Sequence, residues 1–108
     1  MPRYVSLASY TPAAFTAFVG KPQERASGAA ELLRKMGGSL ISIDFSNGDF
    51  DVLIMFELPD DVTAAAFALR VNGAGHFKSN KVVRLLSSDE FLAAQQKAHL
   101  LSYEPPKA

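Results

Sequence analysis

The sequence predicts an α+β domain, one antiparallel sheet of four strands with its two main helices on a single face. Three observations carry that reading. Strand-like and helix-like segments follow one another in the order β-α-β-β-α-β. The central step is short, Ile41 to Phe56, and places Asn47-Gly48 between two apolar runs, the strongest short-range signal for a hairpin. At 108 residues, 48% apolar and 20% charged, the chain also has the size and composition of a single globular domain. This order is the split βαβ, or ferredoxin-like, arrangement. Right-handed crossovers leave few other topologies for it. An extra helix follows at the carboxy-terminal end.

Each element has a local cause. Tyr4 to Tyr10 alternates and carries β-formers, and Thr11-Pro12 stops it. Ala13 to Val19 is apolar but short, and is expected to form a helical turn over a sheet edge. Pro22 suits a first helical turn, where its missing N–H is no loss. From Gln23 to Met36, Ala26, Ala30, Leu33 and Met36 recur at helical spacing, and Gly37-Gly38 ends the helix. Pro59-Asp60-Asp61 closes the third strand and caps a helix over Val62 to Val71. Asn72-Gly73-Ala74-Gly75 ends that helix, and the fourth strand lies within His76 to Leu86. Ser87-Ser88-Asp89-Glu90 caps a last helix that runs to about His99. Residues 1–100 read as one domain and residues 101–108, with Pro105-Pro106, as a flexible tail.

A two-residue type I′ turn at Asn47-Gly48 sets Phe45 opposite Phe50, Asp44 opposite Asp51 and Ile43 opposite Val52. Ile41, Ile43, Phe45, Phe50, Val52, Ile54 and Phe56 then share one wholly apolar face, expected to pack under the helices. The other face collects Leu40, Ser42, Asp44, Asp51, Leu53 and Met55, joined by Tyr4, Ser6 and Ala8 if Val5 and Leu7 turn inward. Apolar groups on a face without helices mark a partner or ligand surface. A homodimer formed through that open sheet face is the expectation, unless the last helix or Ala13 to Val19 folds over it.

Composition narrows the function classes. Eleven basic and eleven acidic residues cancel, so nothing electrostatic recruits nucleic acid or an anionic membrane. The basic group Lys78, Lys81 and Arg84 is small. Without cysteine, disulfides, thiol catalysis and thiolate metal sites are excluded. The start, Met1-Pro2-Arg3-Tyr4-Val5, lacks a signal-peptide run, and no apolar stretch approaches the ~20 residues that span a bilayer. A cytoplasmic protein is expected. The two histidines offer no i, i+4 metal pair, and no cofactor motif is present.

Gly48-Asp49-Phe50-Asp51, the apolar run Val52 to Phe56 and then Pro59-Asp60-Asp61 resemble the signature of the GYD domain family. Pro2-Arg3-Tyr4-Val5 and Gly37-Gly38 also fit, and the resemblance spans about residues 3 to 92. Phe50 stands where the family pattern has tyrosine, so any role of that phenol is absent. The resemblance implies a ferredoxin-like domain of the dimeric α/β-barrel type. It supplies no substrate or catalytic residue; relatives by fold include cofactor-free monooxygenases and ligand-sensing modules, and fold does not fix function.

Candidate chemistry is sparse. Asp44 and Asp51 are expected cross-strand neighbours, and paired carboxylates can share a proton. Asp44 reads better as a solvated hairpin-end residue, whereas Asp51 also matches the family motif. His76, at the mouth of the fourth strand, has a pKa range suited to a general base. Tyr4, Ser6, Ser42, Asp44, Asp51 and Arg84 are the expected lining of a ligand site on the open face, a makeup suited to small organic acids or aromatics. Asn72-Gly73-Ala74-Gly75 lacks a phosphate loop's context and reads as a turn. The leading expectation is a homodimeric small-molecule-binding module. The alternatives are a cofactor-free monooxygenase or isomerase-like enzyme, using His76 or Asp51 as base, and a structural interaction module.

Overall fold

The computed structural model describes Met1–Lys107. Its elements are β1 (Arg3–Tyr10), α1 (Pro12–Gly20), α2 (Ala26–Lys35), β2 (Ser39–Phe45), β3 (Val52–Glu57), α3 (Asp61–Asn72), β4 (Phe77–Leu85) and α4 (Ser88–His99). The four strands form one antiparallel sheet in the order β2-β3-β1-β4. This is the α+β, ferredoxin-like arrangement with an additional carboxy-terminal helix.

Capping chemistry sets the helix starts. Thr11 accepts the Ala14 amide at 3.2 Å with Pro12 in the first turn of α1. Asp60 accepts the Thr63 amide at 2.8 Å at the head of α3. Ser87 and Glu90 form a reciprocal capping box on α4. α2 ends in a left-handed Gly37 (φ 86°), after which the Gly38 amide reaches back to the Leu33 carbonyl at 2.9 Å. A Cβ on Gly38 would lie 1.9 Å from the Glu57 carbonyl oxygen, so only glycine lets the chain pass β3 there.

One face of the sheet carries the core. Tyr4, Ala8, Tyr10, Val52, Ile54 and Phe56 pack against Leu33 of α2, Phe67 of α3 and Ala14 of α1. Tyr10 meets Phe15 and Phe18 edge-on at 5.8 and 5.0 Å, which docks α1. Phe56 lies 5.6 Å from the Tyr4 ring and 4.8 Å from Phe67.

Three expectations need correction. First, Asn47-Gly48 does not close a two-residue turn: Phe45 pairs with Val52 and Ile43 with Ile54, leaving residues 46–51 as loop. Asp51 is drawn instead to β1, where its amide donates to the Ala8 carbonyl and its carboxylate accepts the Tyr10 amide, each at 2.9 Å. The slip is by an even step, so Ile43 and Phe45 keep the face of Val52. Second, a bulge between Leu40 and Ser42 turns Leu40 toward the core and leaves Ile41 exposed. Third, β1 is inverted: Tyr4, Ser6 and Ala8 face the helices, while Val5 and Leu7 pair with Met55 and Leu53 on the open face. Small Ser6 and Ala8 let the helical layer approach, and Tyr4 fills the space over Phe56.

α1 is a full helix on the core side, so it does not cover the open face. α4 does not cover it either, since every residue of α4 is exposed. The radius of gyration, 17.4 Å, exceeds the ~13 Å of a compact chain of this length, in keeping with a thin slab and a projecting arm. Among the described residues, no helix is long and apolar enough to cross a membrane.

Candidate functional site

Between the sheet and the helices lies a cleft of about 270 Å3. Its floor is Ser6, Ile43 and Ile54 of the sheet, and its walls are Leu32 of α2 with Phe67 and Val71 of α3. Gly28 and Ala29 supply almost no side chain on the α2 wall, which is why the layer does not close there. Tyr10, His76 and Phe77 form an aromatic side, and Arg25 and Arg70 contribute the cations.

The floor is polar at one point. Ser6 is buried and donates its hydroxyl to Asn80 Oδ1, and Asn80 in turn donates to Asn72 Oδ1 at 3.0 Å. His76 is held by its backbone, its carbonyl accepting the Thr11 amide at 3.0 Å, and its ring lies 4.3 Å from Phe77. Burial, and then the Arg25 charge, holds the imidazole below its usual pKa, so it is neutral at pH 7 and able to accept a proton. Burial raises the Tyr10 phenol, with Arg25 pulling down and Asp51 pushing up. Both rings therefore lie within reach of the Arg25 charge.

A second cluster sits apart from the cleft. Tyr4 donates to Asp61 Oδ1 at 2.6 Å, and Arg84 binds Glu90 at 2.9 Å while lying 3.9 Å from Asp61. The Arg84 guanidinium also stands 5.9 Å from the Tyr4 ring centre. These contacts join β1, β4, α3 and the start of α4 in a structural clamp.

The candidate residues therefore part company. His76 and Ser6 meet in the cleft. Tyr4 and Arg84 belong to the clamp. Asp51 lines an adjoining depression beside α1, with Phe15 and Phe45, that shares Tyr10 and Arg25 with the cleft, and it accepts the Tyr10 amide. Ser42 and Asp44 lie across from Met55 and Leu53 on the open face. Asp44 and Asp51 are not cross-strand partners, because Asp44 pairs with Leu53. The cleft residues that sequence reasoning missed are Arg25, Arg70, Tyr10 and Phe77. Tyr10 had a signal, since it shares strand parity with Ser6. The arginines had none, because Arg25 precedes α2 and Arg70 lies in α3, distant in sequence.

The family model described as GYD domain matches residues 4–94. The chain belongs to the GYD domain family. No curated protein and no solved structure matches it significantly. Within this GYD domain the motif region Gly48 to Asp51 forms the loop between β2 and β3. Its Asp51 works as a backbone acceptor tying that loop to β1.

Proposed function

We propose that this GYD domain is a homodimeric small-molecule-binding module whose ligand enters the cleft between the sheet and α2 and α3. The observation that carries the reading is the cleft itself. A concave, largely apolar space with a few converging polar groups is the usual form of a ligand site. The open sheet face supports the dimer, since Val5, Leu7, Leu53 and Met55 form a contiguous apolar surface with no helix over it. Phe91, Leu92, Leu100, Leu101 and Tyr103 are also exposed on and after α4, which suits an arm laid against a second copy. The ligand and dimer surfaces lie on opposite sides of the sheet, so each can be occupied without the other.

His76 favours a second reading, a cofactor-free enzyme in which the neutral imidazole takes a proton from a substrate in the cleft. Asp51 is outside that cleft and has no part in it. Native mass spectrometry of the untagged protein, under conditions that preserve weak complexes, tests the leading reading. A dimer carrying an additional small mass supports it and shows the class of compound. A bare monomer overturns it.

A further inference from the structure

The charge on the cleft is one-sided. Arg25 and Arg70 line it and no acidic side chain does, although the chain as a whole has equal numbers of acids and bases. Of the other three arginines, Arg34 binds Glu31 at 2.7 Å and Arg84 binds Glu90 at 2.9 Å, while Arg3 is unpaired among the described residues but lies on β1, away from the cleft. Arg25 and Arg70 form no ion pair among the described residues; Arg25 only donates to the Gln23 amide oxygen at 3.3 Å. Guanidinium groups left without a carboxylate beside an apolar hollow are suited to bring one in with a ligand.

The rest of the cleft describes the ligand's body. Tyr10 and Phe77 are stacked, 5.2 Å apart and inclined by 27°, and His76 lies beside them. Ile43, Ile54 and Phe67 continue the apolar surface. At about 270 Å3 the space falls below the ~300 Å3 at which sites for drug-sized molecules begin, so the body is one ring or its equivalent. We infer that the cleft takes a small aromatic monocarboxylate, its carboxylate bound by Arg25 and Arg70 and its ring seated among Ile43, Ile54 and Phe67. This rests on the cleft being the ligand site and adds the chemical class.

Three probes of one shape separate the two claims: benzoate, uncharged benzamide and cationic benzylamine, each titrated into the 15N-labelled protein. Benzoate is expected to shift the amides of Gly28, Arg70 and Phe77 saturably. Benzamide should bind at least ~10-fold more weakly, the effect of losing a charge-assisted hydrogen bond, and benzylamine should not bind. Arg25→Gln with Arg70→Gln, both exposed positions, should leave the spectrum folded and bring benzoate down to the level of benzamide. Equal binding of benzoate and benzamide by the wild type would overturn the carboxylate assignment while leaving the cleft a ligand site. No saturable shift with any probe, or shifts confined to other surfaces, would overturn both.

Discussion

Tyr4 shows how one side chain can be drawn into the core by its ring and held there by its tip. The ring is 3% exposed and stacks on Phe56, while the hydroxyl reaches out to Asp61 at 2.6 Å. Burial first, then the hydrogen bond and charge of Asp61, push the phenol up to about 12, against the opposing pull of Arg84. A folded value above the unfolded one means that the fold favours the protonated phenol. The associated stability is complete below about pH 10 and is lost as pH rises toward about 12. Tyr4→Phe keeps the ring and leaves Asp61, an exposed residue, free to be hydrated. Its cost at neutral pH should stay within ~1 kcal/mol. Urea midpoints measured near neutrality and near pH 11 should therefore fall less in Tyr4→Phe than in the wild type. The Tyr10 phenol, raised by burial, contributes alkaline loss to both proteins, so the difference between them reports Tyr4. Parallel losses in the two would remove the clamp from the account.

The β2–β3 connection tests what a turn motif determines. A type I′ turn needs positive φ at both central residues. Here Gly37 and Gly75 are the glycines with positive φ, and Gly48 is not among them. A Cβ at Gly48 would meet Ser46 Oγ at an ordinary 3.6 Å. Gly48→Ala should thus be neutral within ~0.5 kcal/mol, or slightly stabilising through the unfolded chain. A loss of ~1–2 kcal/mol in unfolding free energy, read from the shift in denaturation midpoint and equal to the cost of a left-handed alanine, would restore the tight turn. The same loop shows how far the sequence could be read. Element order and the inward face of β3 were legible, because Val52, Ile54 and Phe56 alternate and an even slip of register preserves parity. The loop was not, because its geometry is set by Asp51 bonding to β1, a strand distant in sequence. The face of β1 was not legible either, since Val5 and Leu7 look more like core than Ser6 and Ala8 do. The proximity of helices, which rewards small residues, decides that question, and no local pattern encodes it. His76 and Ser6 were recognisable as candidates, but their meeting in one cleft depends on that same inversion.

At the scale of the molecule, the sheet has one face under three helices and the other open. Val5 pairs with Met55 on one side and Val83 on the other, and Leu7 pairs with Leu53. An apolar stripe of this kind, in a chain whose radius of gyration is 17.4 Å, is the arrangement a second copy would complete. Met55→Glu places a carboxylate in that stripe, directly opposite Val5 and Ser42, so that no cation faces it across either strand and Arg3, a diagonal step away on β1, is the nearest by register. In the isolated chain the new side chain faces water, so the helix-side core of Phe56, Phe67 and Leu33 is untouched and the far-ultraviolet circular dichroism should not change. In a two-fold dimer each seam would receive the charge twice. A buried unpaired charge costs ~3–5 kcal/mol, so the dissociation constant should rise at least ~100-fold. Sedimentation equilibrium on wild type and variant across a concentration series reads this directly. A wild type that stays monomeric throughout would mean that the open face serves some other occupant. A Met55→Glu protein that dimerises as well as the wild type would place the seam elsewhere, with the exposed apolar residues of α4 the next surface to alter.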